Sequence, residues 1–345
     1  RYGRDGFYSG TVAQLIIEEM KRGNGLITKE DLLSYESKYR TPVLGTYKGH
    51  NIISMGPPSS GGALLVNMLN MLENYPMDTL GWNSSKYVHL LTEVERRAYA
   101  DRAEHMGDPD FWDVPISMLT SKNYARNRIK NINLDIATPS SDISASKKEL
   151  YEADETTHYS VVDRWGNAVS VTTTINLNYG NGCIVEGAGF FLNNEMDDFS
   201  SKPGVPNAFG LIGNEANAIE ASKRPLSSMT PTIVLKDRKP FLIIGSPGGS
   251  TIITTTLQTI LNVVDHDMDI KEAVCAPRFH SQWLPDVIQY EPRSLIKDLK
   301  KALELKGHKL VERDSYIGEA NGIMILEDGY YGGGDCRGET SAVGY

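Results

Sequence analysis

Cysteine is scarce in this 345-residue chain: only Cys183, Cys275 and Cys336 occur, far apart and without a CxxC pair. That spacing indicates neither a zinc site nor a disulfide framework, and the odd count leaves at least one thiol without an intramolecular partner. Long apolar runs are missing too. The longest apolar stretches, residues 64–72 and 252–264, carry polar residues at helical spacing, so no segment reads as a membrane span. Nor is there an excess of basic charge. A net charge of −9 with both signs interspersed excludes the concentrated positive face that nucleic acid or an anionic membrane requires. The chain opens on Arg1 without a charged-then-apolar leader, which predicts a piece starting inside a longer protein. What is present, 40% hydrophobic and 23% charged residues, suffices for a buried core without disulfides and leaves small-molecule chemistry as the function class.

Val12, Leu15, Ile16 and Met20 form one apolar stripe of helical period, and Thr28 ahead of Glu30 and Asp31 predicts a capped helix start. Residues 47–55 alternate as a strand and run into Gly56-Pro57-Pro58-Ser59-Ser60-Gly61-Gly62, a loop that precedes a helix over 63–74. Another helix is predicted over 85–105, and residues 136–151, lacking periodicity, read as an exposed linker open to cleavage. Beyond it the pattern turns β-rich. Residues 157–163 and 168–175 flank the turn Arg164-Trp165-Gly166-Asn167, a second strand pair covers 232–236 and 241–245, and a helix is predicted over 252–264. Sheets covered by helices give a layered α+β fold. Two mixed polar clusters, Asp265-His266-Asp267-Met268-Asp269 and His105-Met106-Gly107-Asp108, lack metal spacing and read as solvated loops.

Glu155-Thr156-Thr157-His158-Tyr159-Ser160-Val161 joins the linker to the first β run. A threonine hydroxyl attacks only when a base takes its proton, and a free α-amine on the same residue, with a pKa of about 8, supplies one. Cleavage before Thr156 would create that amine; read alone, the Thr-Thr pair is an ordinary polar strand start. In the next β run the two-residue period puts Ala168, Ser170, Thr172, Thr174 and Asn176 on one face, either a site wall or a solvent-facing ladder. Asn193-Asn194-Glu195-Met196-Asp197-Asp198 follows an apolar strand, Gly189-Phe190-Phe191-Leu192, and gathers carboxylates that suit an ammonium group or simply solvent. Lys223-Arg224-Pro225-Leu226-Ser227-Ser228-Met229 offers adjacent hydroxyls. Gly245-Ser246-Pro247-Gly248-Gly249-Ser250, between a strand and a helix, is a tight connection or an oxyanion cradle of backbone N–H groups, and it lacks a P-loop lysine.

Together these motifs resemble the γ-glutamyltransferase family over essentially the whole chain. Thr156-Thr157-His158-Tyr159-Ser160-Val161 resembles the start of the family's small subunit, where autocatalytic cleavage exposes the first threonine as nucleophile. The Gly56 to Gly62 motif and Tyr99-Ala100-Asp101-Arg102 look like large-subunit signatures. The resemblance implies a four-layer αββα sandwich of the N-terminal-nucleophile hydrolase type with N-terminal elements missing. Residues 1–155 would be the mostly helical end of the large-subunit region and 156–345 the small-subunit region, one sandwich formed by both. It implies Thr156 as nucleophile, Thr174 as its hydrogen-bond partner, and Gly248 and Gly249 as the oxyanion hole. Asn176, Glu195 and Asp198 would hold the substrate's α-amino end, Ser227 and Ser228 its α-carboxylate, and residues 203–210 would form a lid. The implied substrate is a γ-glutamyl amide such as glutathione, and the implied partners are an amine acceptor and the two self-cleaved pieces. No cofactor, metal, nucleic acid or membrane span is expected, and the implied location is periplasmic or secreted. The family's carboxylate-binding arginine belongs to the part preceding this chain, and Asp335-Cys336-Arg337 stands where relatives commonly have Asp-Pro-Arg. Rival readings are a poly-γ-glutamate or glutaryl/cephalosporin acylase relative, an unprocessed non-catalytic homologue, and, more distantly, a phosphate-binding enzyme using the glycine loop.

Overall fold

The computed structural model describes residues 2–143, 156–200, 202, 205 and 211–344. They fall into two compact units, one of residues 1–40 and 174–195, the other of residues 41–173 and 196–345.

The first unit contains α1 (Gly3–Tyr8), α2 (Thr11–Gly23) and α3 (Lys29–Ser34). The apolar stripe drives its packing: Ala13 and Ile16 of α2 join Leu32 and Val185 in a small core flanked by Val12, Leu15 and Met20. Asn24 in the left-handed conformation ends α2, and Thr28 starts α3 with a capping box, its hydroxyl accepting from the Asp31 N–H and its own N–H donating to the Asp31 carboxylate. The strand expected at 189–192 does not form. Glycines at positive φ, Gly187 and Gly189, interrupt the run and leave a single bridge between Ile184 and Phe191.

The second unit is built on an antiparallel six-stranded sheet of β1 (Val43–Tyr47), β2 (His50–Ser54), β5 (Thr232–Lys236), β6 (Lys239–Gly245), β10 (Asn321–Leu326) and β11 (Gly329–Gly334), neighbouring in that order. Register explains the layering. Ser54, Thr232, Ile244 and Gly322 stand side by side, as do Ile52, Val234, Leu242 and Met324, and this buried face takes the helices. Against it pack α4 (Gly61–Leu72) and α8 (Thr251–His266), with α5 (Ser85–His105) beside α4. Three of the threonines that crowd α8, Thr254, Thr256 and Thr259, donate along the helix itself to carbonyls three or four residues back. A hairpin of β3 (Thr157–Val162) and β4 (Ala168–Thr173) covers β6 and β10 on the opposite face. Helix layer, sheet and second sheet thus follow in the order an αββα sandwich requires. Short α6 (Ile116–Leu119) and α7 (Lys122–Arg128) adjoin α4. Further along come α9 (Ile270–Cys275), α10 (Lys297–Leu305) and a small sheet of β7 (Phe279–His280), β8 (Ile288–Tyr290) and β9 (Leu310–Glu312).

Several local expectations are overturned here. The start of the expected linker is exposed at residues 136, 139, 141 and 142 but tied down between them: Thr138 bonds Glu93 through its N–H and receives Arg96 on its carbonyl, while Ser140 is fully buried and bonds Trp283; residues 144–151 lie outside the described residues. Polar residues satisfying the buried charges of α5 carry no apolar period, which is why the segment looked solvated. The two mixed polar clusters are likewise structural. Asp265 is buried against Tyr47 and Lys48, Asp269 caps α9, and buried Asp108 receives the Arg224 N–H. Cys275 and Cys336, 61 residues apart, form a disulfide, leaving Cys183 free. Sequence spacing holds no trace of this pairing, because the fold alone brings the end of α9 to the end of β11. Among the described residues no helix is long and apolar enough to cross a membrane, and no group of His, Cys, Asp and Glu suits a metal ion.

Candidate active site

Thr156 sits half-buried immediately before β3 and lines a cavity of about 700 Å³ together with Pro247 of the glycine loop, Glu319 and Tyr330. Residue 155 and the expected lid, apart from Val205, lie outside the described residues. Two residues on from Thr156, His158 seats the hairpin against β6. A β-carbon on Gly245 would overlap the His158 ring, so the glycine is what lets β3 approach β6 this closely. The ring nitrogens of His158 lie 2.9 Å from Thr172 Oγ1 and 3.1 Å from Ser160 Oγ. Burial lowers its pKa to about 4, so it is neutral at physiological pH. Ser170 Oγ adds a bond to the Ile244 carbonyl at 3.1 Å.

The glycine loop turns directly into α8. Gly248 and Gly249 have φ of +132° and +52°, a backbone path that side chains disfavour. The Gly248 carbonyl accepts from the Thr251 N–H at 2.9 Å and from Thr251 Oγ1 at 2.7 Å, fixing the loop at the helix start. Tyr99 donates its hydroxyl to the Ser250 carbonyl, and Ser250 Oγ donates to Gln282 Oε1 at 2.6 Å.

Three sequence motifs converge at Ser227 and Ser228. Ser60 donates both its N–H and its hydroxyl to the Ser227 carbonyl at 2.8 Å, and the Ser227 N–H donates to the Pro58 carbonyl at 2.9 Å. Arg102 bonds Ser60 Oγ at 2.9 Å and Ser228 Oγ at 3.2 Å. One guanidinium thereby joins the Gly56 to Gly62 loop to the paired serines, which gives both large-subunit signatures a physical reason. Asp198 comes to the same neighbourhood by a residue the sequence did not flag. The buried Asn217 donates to the Asp198 carbonyl at 2.7 Å and accepts the Leu226 N–H at 3.0 Å. Nothing in the local sequence around Asn217 marks it, since both its partners are distant along the chain.

Thr174, Asn176 and Glu195 belong to the first unit. The two-residue period expected to align Thr174 with Asn176 is overturned: β4 ends at Thr173, and Asn176 has φ of +74°. The Thr174 hydroxyl accepts the Asn176 N–H at 2.8 Å, a turn closed by a side chain, so the two are neighbours by local bonding rather than by strand pleat. Buried Asn176 donates its amide to the Asn194 carbonyl at 3.1 Å, the Leu177 N–H bonds Asn194 Oδ1 at 3.0 Å, and the Glu195 N–H bonds Asn193 Oδ1 at 2.9 Å. Glu195 and Asp198 open and close a single turn of 3-10 helix.

The family model for gamma-glutamyltranspeptidase matches residues 1–345. Glutathione hydrolase proenzyme of Escherichia coli K12 is 50% identical over 97% of this chain and 58% of its own length. The proenzyme of the same name from Pseudomonas sp. strain A14 is 45% identical over 99% of the chain and 61% of its own length. The chain thus spans about three-fifths of these curated relatives. Among solved structures, the T380A mutant of Helicobacter pylori gamma-glutamyltranspeptidase is 59% identical over 53% of this chain and all of that one, with a TM-score of 0.52. A cephalosporin acylase from Bacillus halodurans, at 24% identity, covers 96% of this chain and 58% of its own with a TM-score of 0.80, a likeness of fold. The architecture is that of the N-terminal-nucleophile hydrolases. By these matches the chain belongs to the gamma-glutamyltranspeptidase family.

Proposed function

We propose that this chain carries the nucleophile of a γ-glutamyltransferase that also hydrolyses glutathione. The peptide bond between Glu155 and Thr156 is cut autocatalytically, leaving residues 1–155 and 156–345 associated. Support comes from the relatives, named as glutathione hydrolase proenzymes, and from one observation above the rest: Thr156 and Pro247, the residue just before Gly248 in the glycine loop, line one cavity.

After cleavage the α-amine of Thr156 takes the proton of its own hydroxyl as the oxygen attacks the γ-carbonyl carbon. The carbonyl oxygen becomes an oxyanion facing the N–H groups of Gly248 and Gly249 at the start of α8. Collapse expels the amine, which collects the proton, and leaves a γ-glutamyl ester on Thr156. Water or an acceptor amine then attacks the ester by the same route in reverse. Within the second unit, Asp198 holds the substrate's ammonium and Ser227 and Ser228 its α-carboxylate. Before cleavage the Thr156 nitrogen is an amide without basicity, so the uncut chain has no turnover by this route. The disulfide fits an oxidising compartment, which favours a periplasmic or secreted protein.

Intact mass spectrometry with N-terminal sequencing tests the reading. Two pieces, the smaller beginning Thr156-Thr157-His158, are expected from the wild type and a single chain without turnover from Thr156→Ala; normal cutting in that variant would refute the assignment. The acylase reading is favoured by a relative named Acylase ACY 1 proenzyme, 35% identical over 97% of the chain. Faster turnover of a glutaryl or cephalosporin amide than of glutathione would select it.

A further inference from the structure

We infer that the disulfide between Cys275 and Cys336 positions the glycine loop over 245–250, so that turnover depends on its oxidation. The inference rests on the γ-glutamyl-transfer reading above. Cys275 is the last residue of α9, and Cys336 lies between Asp335 and Arg337 just past β11, the two Cα atoms 5.2 Å apart.

Buried ion pairs radiate from the bridge. Asp335 accepts from Arg278 Nη2 and from the Ala320 N–H, each at 2.7 Å. Arg337 donates to Glu291 and to the Ala276 carbonyl, each at 2.7 Å, and to the Val274 carbonyl at 3.0 Å. Glu291 accepts the Ile317 N–H at 2.8 Å, and Arg278 Nη1 donates to the Ile317 carbonyl at 2.7 Å and to that of Gly318 at 3.2 Å. The turn over 317–320 is therefore held on its N–H groups and its carbonyls alike. That turn leans on the glycine loop: the Glu319 N–H bonds Ser246 Oγ at 3.1 Å, and a β-carbon on Gly248 would lie 3.3 Å from Gly318 Cα.

The path from disulfide to Gly248 thus runs through Asp335, Arg278 and one turn. Such a buried network holds its geometry only while Asp335 and Arg337 stay in register with the end of α9. A proline at position 336 would fix the backbone φ there through its ring. Here the covalent tie to α9 does so. Reduction by a dithiol proceeds by thiolate attack on one sulfur, a mixed disulfide, and closure of the reagent's own disulfide, leaving two cysteine thiols. The segment over 335–337 then loses its tether, and the N–H groups of Gly248 and Gly249 lose their alignment with the oxyanion.

The test uses the complete processed protein, oxidised or treated with dithiothreitol, beside Cys336→Ser and Cys336→Pro. Iodoacetamide labelling read by mass spectrometry is expected to mark one cysteine before reduction and three after it. On reduction, and in Cys336→Ser, kcat for γ-glutamyl transfer falls about tenfold with KM within about twofold, the mark of a loss confined to the transition state. Cys336→Pro keeps the oxidised wild-type kcat and ignores the dithiol. Circular dichroism and assays well below each melting temperature separate this from unfolding. Reduced enzyme with unchanged kcat, a Cys336→Pro variant as impaired as Cys336→Ser, or full labelling before reduction would overturn the inference. Oxidised protein without any γ-glutamyl turnover would instead remove the reading beneath it, and the inference with it.

Discussion

Arg102 reaches Ser60 and Ser228 with separate nitrogens of one planar group, a geometry that lysine lacks. If Ser228 binds the substrate carboxylate, Arg102→Lys disorders ground-state and transition-state contacts alike. Steady-state kinetics is expected to show KM for the γ-glutamyl donor raised about tenfold and kcat within about threefold. His158 makes a prediction of another kind. Its pKa falls to about 4 by desolvation, so between that value and about 6.5 the unfolded chain binds a proton that the folded one refuses. The stabilisation by neutral His158 is therefore full above about pH 6.5 and lost as pH falls toward 4, amounting to about 3 kcal/mol. Urea unfolding at pH 7 and pH 4.5 should show a smaller acid loss in His158→Gln than in the wild type. At this scale the site was only partly legible. Thr156, the glycine loop and the paired serines each sit inside one short motif, whereas Asn217 and Asp108 act on Leu226, Asp198 and Arg224 across long stretches of chain.

Between elements, the contact that matters most for Thr156 is the approach of β3 to β6 over Gly245. Gly245 is not among the glycines with positive φ, so alanine there is conformationally allowed and its effect comes from the overlap with His158 alone. Gly245→Ala is expected to cost roughly 1–3 kcal/mol by overpacking, seen as a lower urea midpoint at unchanged slope, and to reduce turnover by shifting the strand that carries Thr156. An unchanged kcat alongside the stability loss would show that the hairpin's position is not critical to turnover. Elements with an unbroken period were readable: the helix predicted over 85–105 has those bounds, and both strand pairs after residue 156 form. Where the structure departs, local bonding beats periodicity. Thr174 ends β4 by capping the Asn176 N–H, and β1 was missed because an exposed Leu44 and a glycine, Gly45, at an inward position hide its alternation.

For the molecule as a whole, a cut before Thr156 would divide the central sheet of the second unit. Strands β1 and β2 precede the cut and the other four follow it, with β2 paired to β5 from Asn51 opposite Leu235 through Ser54 opposite Thr232. Ser54 and Thr232 also share a buried hydroxyl contact of 2.9 Å across that boundary. Helices α4 and α5, from the first piece, are buried almost throughout, and α4 packs on α8 of the second. Exposing so much apolar surface would cost far more than the entropy gained by release, so the pieces should behave as one folding unit. No covalent bond among the described residues replaces the severed peptide, since the disulfide joins Cys275 and Cys336 within the second piece. The processed protein is therefore expected to elute as a single species in native size-exclusion chromatography and to split into two bands on a denaturing gel even without reductant. Separation in native buffer would mean that β2 and β5 do not hold the halves together; a single band without reductant would mean either that the chain is uncut or that a covalent link crosses the cut.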